Sequence, residues 1–171
     1  MAAEADYPIG PHEFQRLRKL GEAGFAGSEH IPALDALCAE AKAHFGVKMA
    51  AVTLLTEEVQ LLKARVGIDA TETPRNVAFC NYTILDDRVF VVRDTLEDPR
   101  FSEHPLTRGA PFLRFYAGAP LLYLAELRLG AFCLLDTKPR DDFSDGEQAE
   151  LIDFAERAVQ VLVDRLARTG P

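Results

Sequence analysis

The spacing of hydrophobic residues predicts that the chain begins and ends in helices. Apolar side chains recur every three or four positions from Phe14 to Leu20 and again from Ile31 to Phe45, a period typical of helices with one buried face. The same period runs from Leu151 to Leu166. Ser144 and Glu147 stand just before that last segment with the spacing of a capping box, which marks the first turn of a helix.

Between these helices the pattern changes to that of β-strands, with apolar runs bounded by turn residues. Two of the runs are close enough to form a hairpin, as are the last two. The predicted strands are Met49–Leu55, Val59–Val66, Val89–Val92, Phe112–Tyr123 and Leu127–Asp136. A short helix is predicted at Phe79–Leu85, and residues 72–75 are read as a loop around Pro74. Strands joined by hairpins give an antiparallel sheet, so the sequence predicts an α+β sandwich.

Composition and charge narrow the class of protein. The chain has 171 residues, of which 48% are hydrophobic and 27% charged, as expected for one folded domain. With 19 basic and 27 acidic residues the net charge is −8, and an acidic domain repels the phosphate backbone of nucleic acids. No apolar run approaches the ~20 residues that cross a bilayer. Neither a nucleic-acid partner nor a membrane is therefore expected.

The three cysteines, Cys38, Cys80 and Cys133, form no C-x-x-C pair. Such a sparse, odd set argues against a disulfide framework and against a zinc site built on thiolates. No histidine pair has the spacing of metal ligands either. The sequence therefore predicts a reduced, cytoplasmic protein without a metal.

A candidate pocket is predicted beside the irregular segment that runs from Asp94 to Pro111. A loop of this length inside a compact domain is usually functional, or it conceals a short helix. The candidate ligand-binding residues are Phe79, Cys80, Asp94, Phe101, Arg114 and Tyr116. In one interpretation Arg114 and Asp94 are polar anchors beneath a roof of Phe101 and Tyr116. In the other, Arg114 pairs with Asp94 or Asp98 to attach the insert to the sheet, and Cys80 only packs.

Several short motifs together resemble a GAF domain, although each of them is weak alone. They are Phe79-Cys80-x-x-Thr83-Ile84, Val91-Val92-x-Asp94, Asp98-Pro99-Arg100-Phe101, the run from Arg114 to Leu121, and Leu129-Gly130-x-x-Cys133-x-x-Asp136-x-x-Pro139-Arg140. The combination is similar to the bacterial subgroup often fused in front of histidine kinases and diguanylate cyclases. The resemblance covers residues 14–168, which leaves 1–13 as a flexible N-terminus and 169–171 as a tail.

The resemblance implies a central six-stranded antiparallel sheet with the terminal helices on one face. Short helices and loops would enclose a pocket for an unknown small molecule on the other face. It also implies a sensory or regulatory role in signal transduction, as a homodimer through the terminal helices and with a kinase or cyclase as signalling partner. Bilin attachment in related domains uses a Cys beside a His, whereas Asn81 follows Cys80. No cofactor is therefore expected.

Two alternatives to a ligand sensor remain open. Stand-alone GAF domains include free methionine-R-sulfoxide reductases, and in that case Cys80 would attack the sulfoxide and Cys133 would resolve the intermediate. The other alternative is a dimerisation adaptor with a vestigial pocket, filled by the side chains of Phe101, Phe115 and Tyr116.

Overall fold

The computed structural model describes residues 7–27, 29–124 and 127–169, with side chains as far as residue 165. The expected loose start over residues 1–6 and the end of the expected tail, residues 170–171, lie outside this range. The helices are α1 Glu13–Ala23, α2 Pro32–Phe45, α3 Cys80–Thr83, α4 Pro105–Arg108 and α5 Asp145–Thr169. The strands are β1 Met49–Leu55, β2 Val59–Val66, β3 Glu72–Pro74, β4 Phe90–Val92, β5 Phe115–Tyr123 and β6 Leu127–Asp136.

The six strands form one antiparallel sheet in the order β3-β2-β1-β6-β5-β4. The predicted α+β class and the six-stranded sheet are confirmed. The sixth strand is β3, where the hydrophobic pattern predicts a loop. It has only three residues, pairs with one neighbour and contains Pro74 opposite Val59. Proline has no N–H to donate to a ladder, so it is tolerated only at such an edge, where an apolar pattern is not needed.

The two faces of the sheet have different cores. On one face α1, α2 and α5 pack against alternate residues of β1, β5 and β6, such as Val52, Phe115 and Phe132. On the other face, residues such as Ala51 and Tyr116 pack against α3 and the insert. This arrangement of terminal helices on one side and short helices on the other is the predicted one. Among the described residues, no helix combines the length and the hydropathy needed to span a membrane.

The insert between β4 and β5 is partly structured. It contains a 3-10 turn, Thr95–Glu97, and the helix α4. Thr95 anchors it, because its N–H donates to the carbonyl of Arg114 and its hydroxyl donates to the carbonyl of Leu113 at 2.7 Å. The strand β5 begins three residues later than predicted, since Phe112 has a φ of 61°, which no strand residue adopts.

The long helix α5 begins as predicted. The N–H of Glu147 donates to the hydroxyl of Ser144 at 3.1 Å, and the N–H of Ser144 donates back to the Glu147 carboxylate at 3.2 Å. These reciprocal bonds satisfy amides that have no partner inside the helix.

A buried charge network attaches α1 to the other side of the molecule. The Glu13 carboxylate accepts hydrogen bonds from Arg16 at 2.6 Å and from Arg75 at 2.5 Å. Arg75 lies just after β3, is 2% exposed, and donates to the Asn81 side chain in α3 at 2.9 Å. Arg16 donates to the carbonyl of Leu55 at the end of β1 at 2.6 Å. One carboxylate therefore pairs with two buried arginines and offsets one of their two positive charges, and buried charges require such partners.

This network predicts a specific acid sensitivity. Burial alone would raise the pKa of Glu13, but the hydrogen bonds and charges of Arg16 and Arg75 lower it from 4.5 to about 2. A pKa that falls on folding adds stability above the unfolded-state value and loses it as the pH drops from about 4.5 toward 2. The contribution at neutral pH is on the order of 3 kcal/mol. Urea unfolding of Glu13→Gln should show a large loss at pH 7 and a weaker dependence on pH below 4.5.

Glu22 on the same helix is the matched control for this experiment. It pairs with Lys19 and Arg18, but half of its side chain is exposed. Exposed pairs contribute less than about 1 kcal/mol, so Glu22→Gln should change the unfolding free energy only slightly. Equal losses for the two variants would contradict the role assigned to Glu13.

Candidate functional site

A cavity of about 290 Å³ lies on the face of the sheet opposite the long helices. Its floor is formed by residues of β1, β2, β5 and β6, and its walls by α3 and the insert with α4. The lining residues are Met49, Ala51, Thr53, Gln60, Leu62, Ile68, Ala70, Thr73, Val77, Phe79, Cys80, Leu106, Ala110, Pro111, Leu113, Tyr116, Cys133 and Leu135. Among the described residues that line it, none is acidic, basic or histidine. The cavity is thus apolar and electrically neutral.

The first polar group in the wall comes from the edge of the sheet. The side-chain amide of Gln60 donates to the hydroxyl of Thr73 at 3.1 Å, which joins β2 to β3. The Gln60 Oε1 atom is buried and has no hydrogen-bond partner. An unpaired buried acceptor costs about 1–3 kcal/mol, so this atom favours a ligand that carries a hydrogen-bond donor.

The second polar group is a cluster around the sulfur of Cys80. The Thr53 hydroxyl and the Tyr116 hydroxyl each lie 3.2 Å from Cys80 Sγ and donate to it. Thr53 Oγ1 also accepts the N–H of Ala131 at 3.2 Å, and the carbonyl of Ala131, at 3.4 Å, is a second acceptor for its proton. Thr83 Oγ1 lies 2.7 Å from the Tyr116 hydroxyl. Buried polar atoms of α3, β1, β5 and β6 are therefore satisfied by one another.

The cluster makes its two thiols unequal. Burial raises the pKa of the Cys80 thiol, but hydrogen bonds from Cys133, Thr53 and Tyr116 outweigh burial and leave that pKa below its usual range. The hydrogen bond to Cys80 and burial raise the pKa of Cys133 well above its usual range. Both cysteines are free and buried. Cys80 is therefore the thiol of the pair that ionises first.

Aromatic rings stack on one another beside the cavity, on the side of the insert. Phe79 stacks on Phe101 with ring centres 4.3 Å apart, and Tyr82 stacks on Phe90 at 5.5 Å. The Arg100 guanidinium lies 5.0 Å from the centre of the Phe90 ring. These contacts pack the insert and β4 against α3 beside the cavity.

The structure brings together four of the six predicted site residues. Phe79, Cys80 and Tyr116 line the cavity, and Phe101 packs behind Phe79 as a second layer instead of forming a roof. Asp94 and Arg114 are not among the lining residues. They pair with each other through two hydrogen bonds of 3.1 Å, and the bond from Arg114 lowers the pKa of Asp94. This is the geometry of the alternative interpretation, a salt bridge that attaches the insert to the sheet.

Sequence reasoning did not select Thr53 or Gln60 as site residues. One available signal was the alternation along β1, where Thr53 falls on the same side as Ala51 and is the polar position of that side. Gln60 carried no comparable signal, because its importance depends on the partner Thr73 from a strand that the pattern did not reveal.

Comparisons with known proteins give the fold and a signalling relative. The chain is 34% identical over 163 residues to a cyclic di-GMP phosphodiesterase of Pseudomonas aeruginosa, and the match covers 95% of this chain and 28% of that protein. The structure superposes on the GAF domain of an Acinetobacter phosphoenolpyruvate-protein phosphotransferase with a TM-score of 0.66 at 15% identity, covering 95% of this chain and 100% of the other. The chain has the GAF fold.

The same fold occurs in an enzyme. The free methionine-R-sulfoxide reductase of Neisseria meningitidis, solved with its substrate, gives a TM-score of 0.64 at 14% identity and covers 100% of this chain and 96% of the other. No family model matches the chain. Structures with the GAF fold thus include a domain of a phosphotransferase and a reductase, so the fold alone does not indicate what the cavity does.

Within this GAF fold, Gly118 makes room for the hydroxyl cluster. A Cβ at this position of β5 would lie 2.3 Å from the Tyr116 hydroxyl and 2.8 Å from Thr83 Oγ1. Such distances are far inside van der Waals contact, so a side chain here must displace the bond between Tyr116 and Thr83. The position requires glycine for space and not for backbone conformation.

Gly118→Ala should therefore destabilise the domain by about 1–3 kcal/mol, as overpacking of a core does. Gly21→Ala is the control, because a Cβ on Gly21 in α1 meets no atom within 4 Å. In a helix that change should instead gain up to about 1 kcal/mol. Urea titration measures the change in unfolding free energy for each variant. If Gly118→Ala proved neutral or stabilising, the position would not require glycine for space.

Proposed function

We propose that residues 14–168 are a sensory or regulatory GAF domain that binds a small, neutral, largely apolar molecule in the cavity. One observation carries this proposal: a 290 Å³ cavity with apolar walls, no charged lining residue among those described, and a few polar groups. Small-molecule sites in proteins have this composition. The ligand would contact Gln60 through a donor group and the aromatic wall through its apolar surface.

The neutral lining argues against an anionic ligand. Burying a charge without a partner is costly, and Arg114, the cation expected from the sequence, is paired with Asp94 away from the cavity. A cyclic dinucleotide carries two phosphates and would find no cation there. We therefore propose that any link to cyclic di-GMP, suggested by the name of the relative, runs through a partner or a fused enzyme and not through this cavity.

One observation favours the reductase alternative, and another argues against it. Cys80 and Cys133 both line the cavity, and that reaction requires two cysteines near each other. Free methionine sulfoxide, however, carries an ammonium and a carboxylate, and the lining offers neither of them an ionic partner. The alternative of a vestigial pocket is also less favoured, because Phe101 packs behind Phe79 and Phe115 belongs to the core on the opposite face. A non-enzymatic binding role fits the site better than either alternative.

The route from ligand to output would pass through the sheet. Leu106, Ala110 and Pro111 of the insert line the cavity, so a bound ligand would hold the insert in one position. On β5, Tyr116 faces the cavity, whereas its neighbour Phe115 packs with the helical core that includes α5. Ligand binding would shift the population between two packings of α5.

The output proposed for this shift is a homodimer that controls a kinase, a cyclase or another signalling enzyme. Ile152, Val159 and Val163 are spaced seven and four residues apart and lie along one side of α5. Ile152 is 37% exposed, and both valines are partly exposed. An apolar stripe of this kind on a terminal helix suits a parallel contact with a second copy.

Binding can be tested with the neutral fluorescent probe N-phenyl-1-naphthylamine and with cyclic di-GMP. The probe should bind with enhanced fluorescence and raise the melting temperature, whereas cyclic di-GMP should do neither, since the cavity has no cation. Ala70→Trp adds a large side chain to an exposed lining residue and should abolish probe binding. Ala36→Trp, on the exposed side of α2, is the control and should leave binding unchanged. Tight binding of cyclic di-GMP that Ala70→Trp abolishes would overturn the neutral-ligand proposal.

Dimerisation can be tested by sedimentation over a range of protein concentrations. The wild type should associate, and Val163→Glu should shift it to monomer because the charge would be buried in the apolar stripe. Gln160→Glu adds the same charge at an exposed position of α5 and should leave the association intact. A compact monomer at every concentration would eliminate the homodimer.

A further inference from the structure

Cys80 lines the cavity, and two hydroxyls lie next to its sulfur. Its side chain is buried, yet it is one of the cavity-lining residues, so a molecule in the cavity reaches it without unfolding. Two hydroxyl donors lie 3.2 Å from the sulfur. Structural cysteines seldom have such a set of donors, because a neutral thiol is only a weak acceptor.

Neighbouring groups hold the two hydroxyls next to the sulfur. Thr53 Oγ1 accepts the Ala131 N–H, and Tyr116 Oη shares a hydrogen bond with Thr83 Oγ1. Hydrogen bonds to an ionised group are about twice as strong as those to a neutral one, so this arrangement stabilises the thiolate more than the thiol. The thiolate is the reactive form of cysteine.

We propose that Cys80 is a covalent modification site that takes a small, neutral α,β-unsaturated carbonyl compound bound in the cavity. This inference rests on the proposed function, since the cavity must first accept a neutral molecule. In the addition, a bond forms between Cys80 Sγ and the β-carbon while the C=C π bond breaks. The thiol proton ends on the α-carbon. Neither an oxidant nor a leaving group is needed.

The two other cysteines are not equivalent to Cys80. Cys133 lines the same cavity, but the neighbouring Cys80 and burial raise the pKa of its thiol. Cys38 lies in the core between the sheet and the long helices, where burial raises the pKa of its thiol to about 12. The structure therefore predicts selective addition at one of three buried cysteines.

The test uses N-ethylmaleimide and cyclohex-2-enone on the folded protein, followed by intact mass and peptide mapping. With at most one equivalent of reagent per protein chain, a single adduct is expected, on Cys80. Cys38→Ser should label as the wild type does, and Cys80→Ser should not label. Tyr116→Phe and Thr53→Val, each first shown to melt cooperatively, should slow labelling roughly tenfold by removing one charge-stabilising hydrogen bond. Two such variants keep the test valid if one fails to fold.

The outcomes separate this inference from the proposed function. If the naphthylamine probe binds and the enones leave Cys80 unmodified, the covalent site is wrong and the binding domain stands. If neither the probe nor the enones are taken up, both proposals fall. Labelling of Cys133 or Cys38 as fast as Cys80, or equal rates in Tyr116→Phe, Thr53→Val and the wild type, would also overturn the inference.

Discussion

The structure depends on the burial of both faces of the three central strands. Every residue of β1 is buried, and because side chains alternate across a strand, each central strand must supply two separate cores. The long helices fill one face with Leu, Phe and Ala side chains. The other face is covered by short helices and an insert, which pack less completely and leave the cavity. The well-packed face thus supports the face that contains the cavity.

The charged side chains that the structure describes lie outside the lining of the cavity. Although the chain has 46 acidic and basic residues in total, 27 acidic and 19 basic, none of those described lines the cavity. They work at its margins instead. Glu13 with Arg16 and Arg75 connects α1, the sheet edge and α3, and Asp94 with Arg114 connects the insert to β5. Ion pairs therefore position the walls, while contact with a ligand is left to apolar, hydroxyl, amide and thiol groups.

The described lining of the cavity contains no carboxylate, ammonium, guanidinium or imidazole group. A GAF fold can hold a reductase centre or a regulatory pocket, because fold and function are separable. Here two thiols and two hydroxyls face a space without ionic partners, which suits an uncharged molecule better than an amino acid or a nucleotide. The same cluster gives one buried cysteine a chemistry that its neighbours in the core lack.

Helices and hairpins could be predicted from the sequence, because their hydrophobic and capping patterns involve residues close together in the chain. The amphipathic period of α2 and α5, the capping box at Ser144 and the hairpin β5–β6 could be read directly, since helices and hairpins form from near neighbours. The GAF resemblance of the motifs supplied the sixth strand and the position of the pocket. Phe79, Cys80 and Tyr116 were found because their motifs flank the insert.

Contacts between distant parts of the chain set the features that no local pattern predicts. The edge strand β3 exists because β2 offers it hydrogen bonds, so its own three residues carry no signal. Arg114 pairs with Asp94 outside the cavity, whereas Thr53 and Gln60 line it. The register of the strands decides on which face of the sheet each of these side chains lies. The environment of Cys80 is set by residues from 27 to 36 positions away. Sequence spacing shows which residues can form elements, but the meeting of elements decides which side chains share a site.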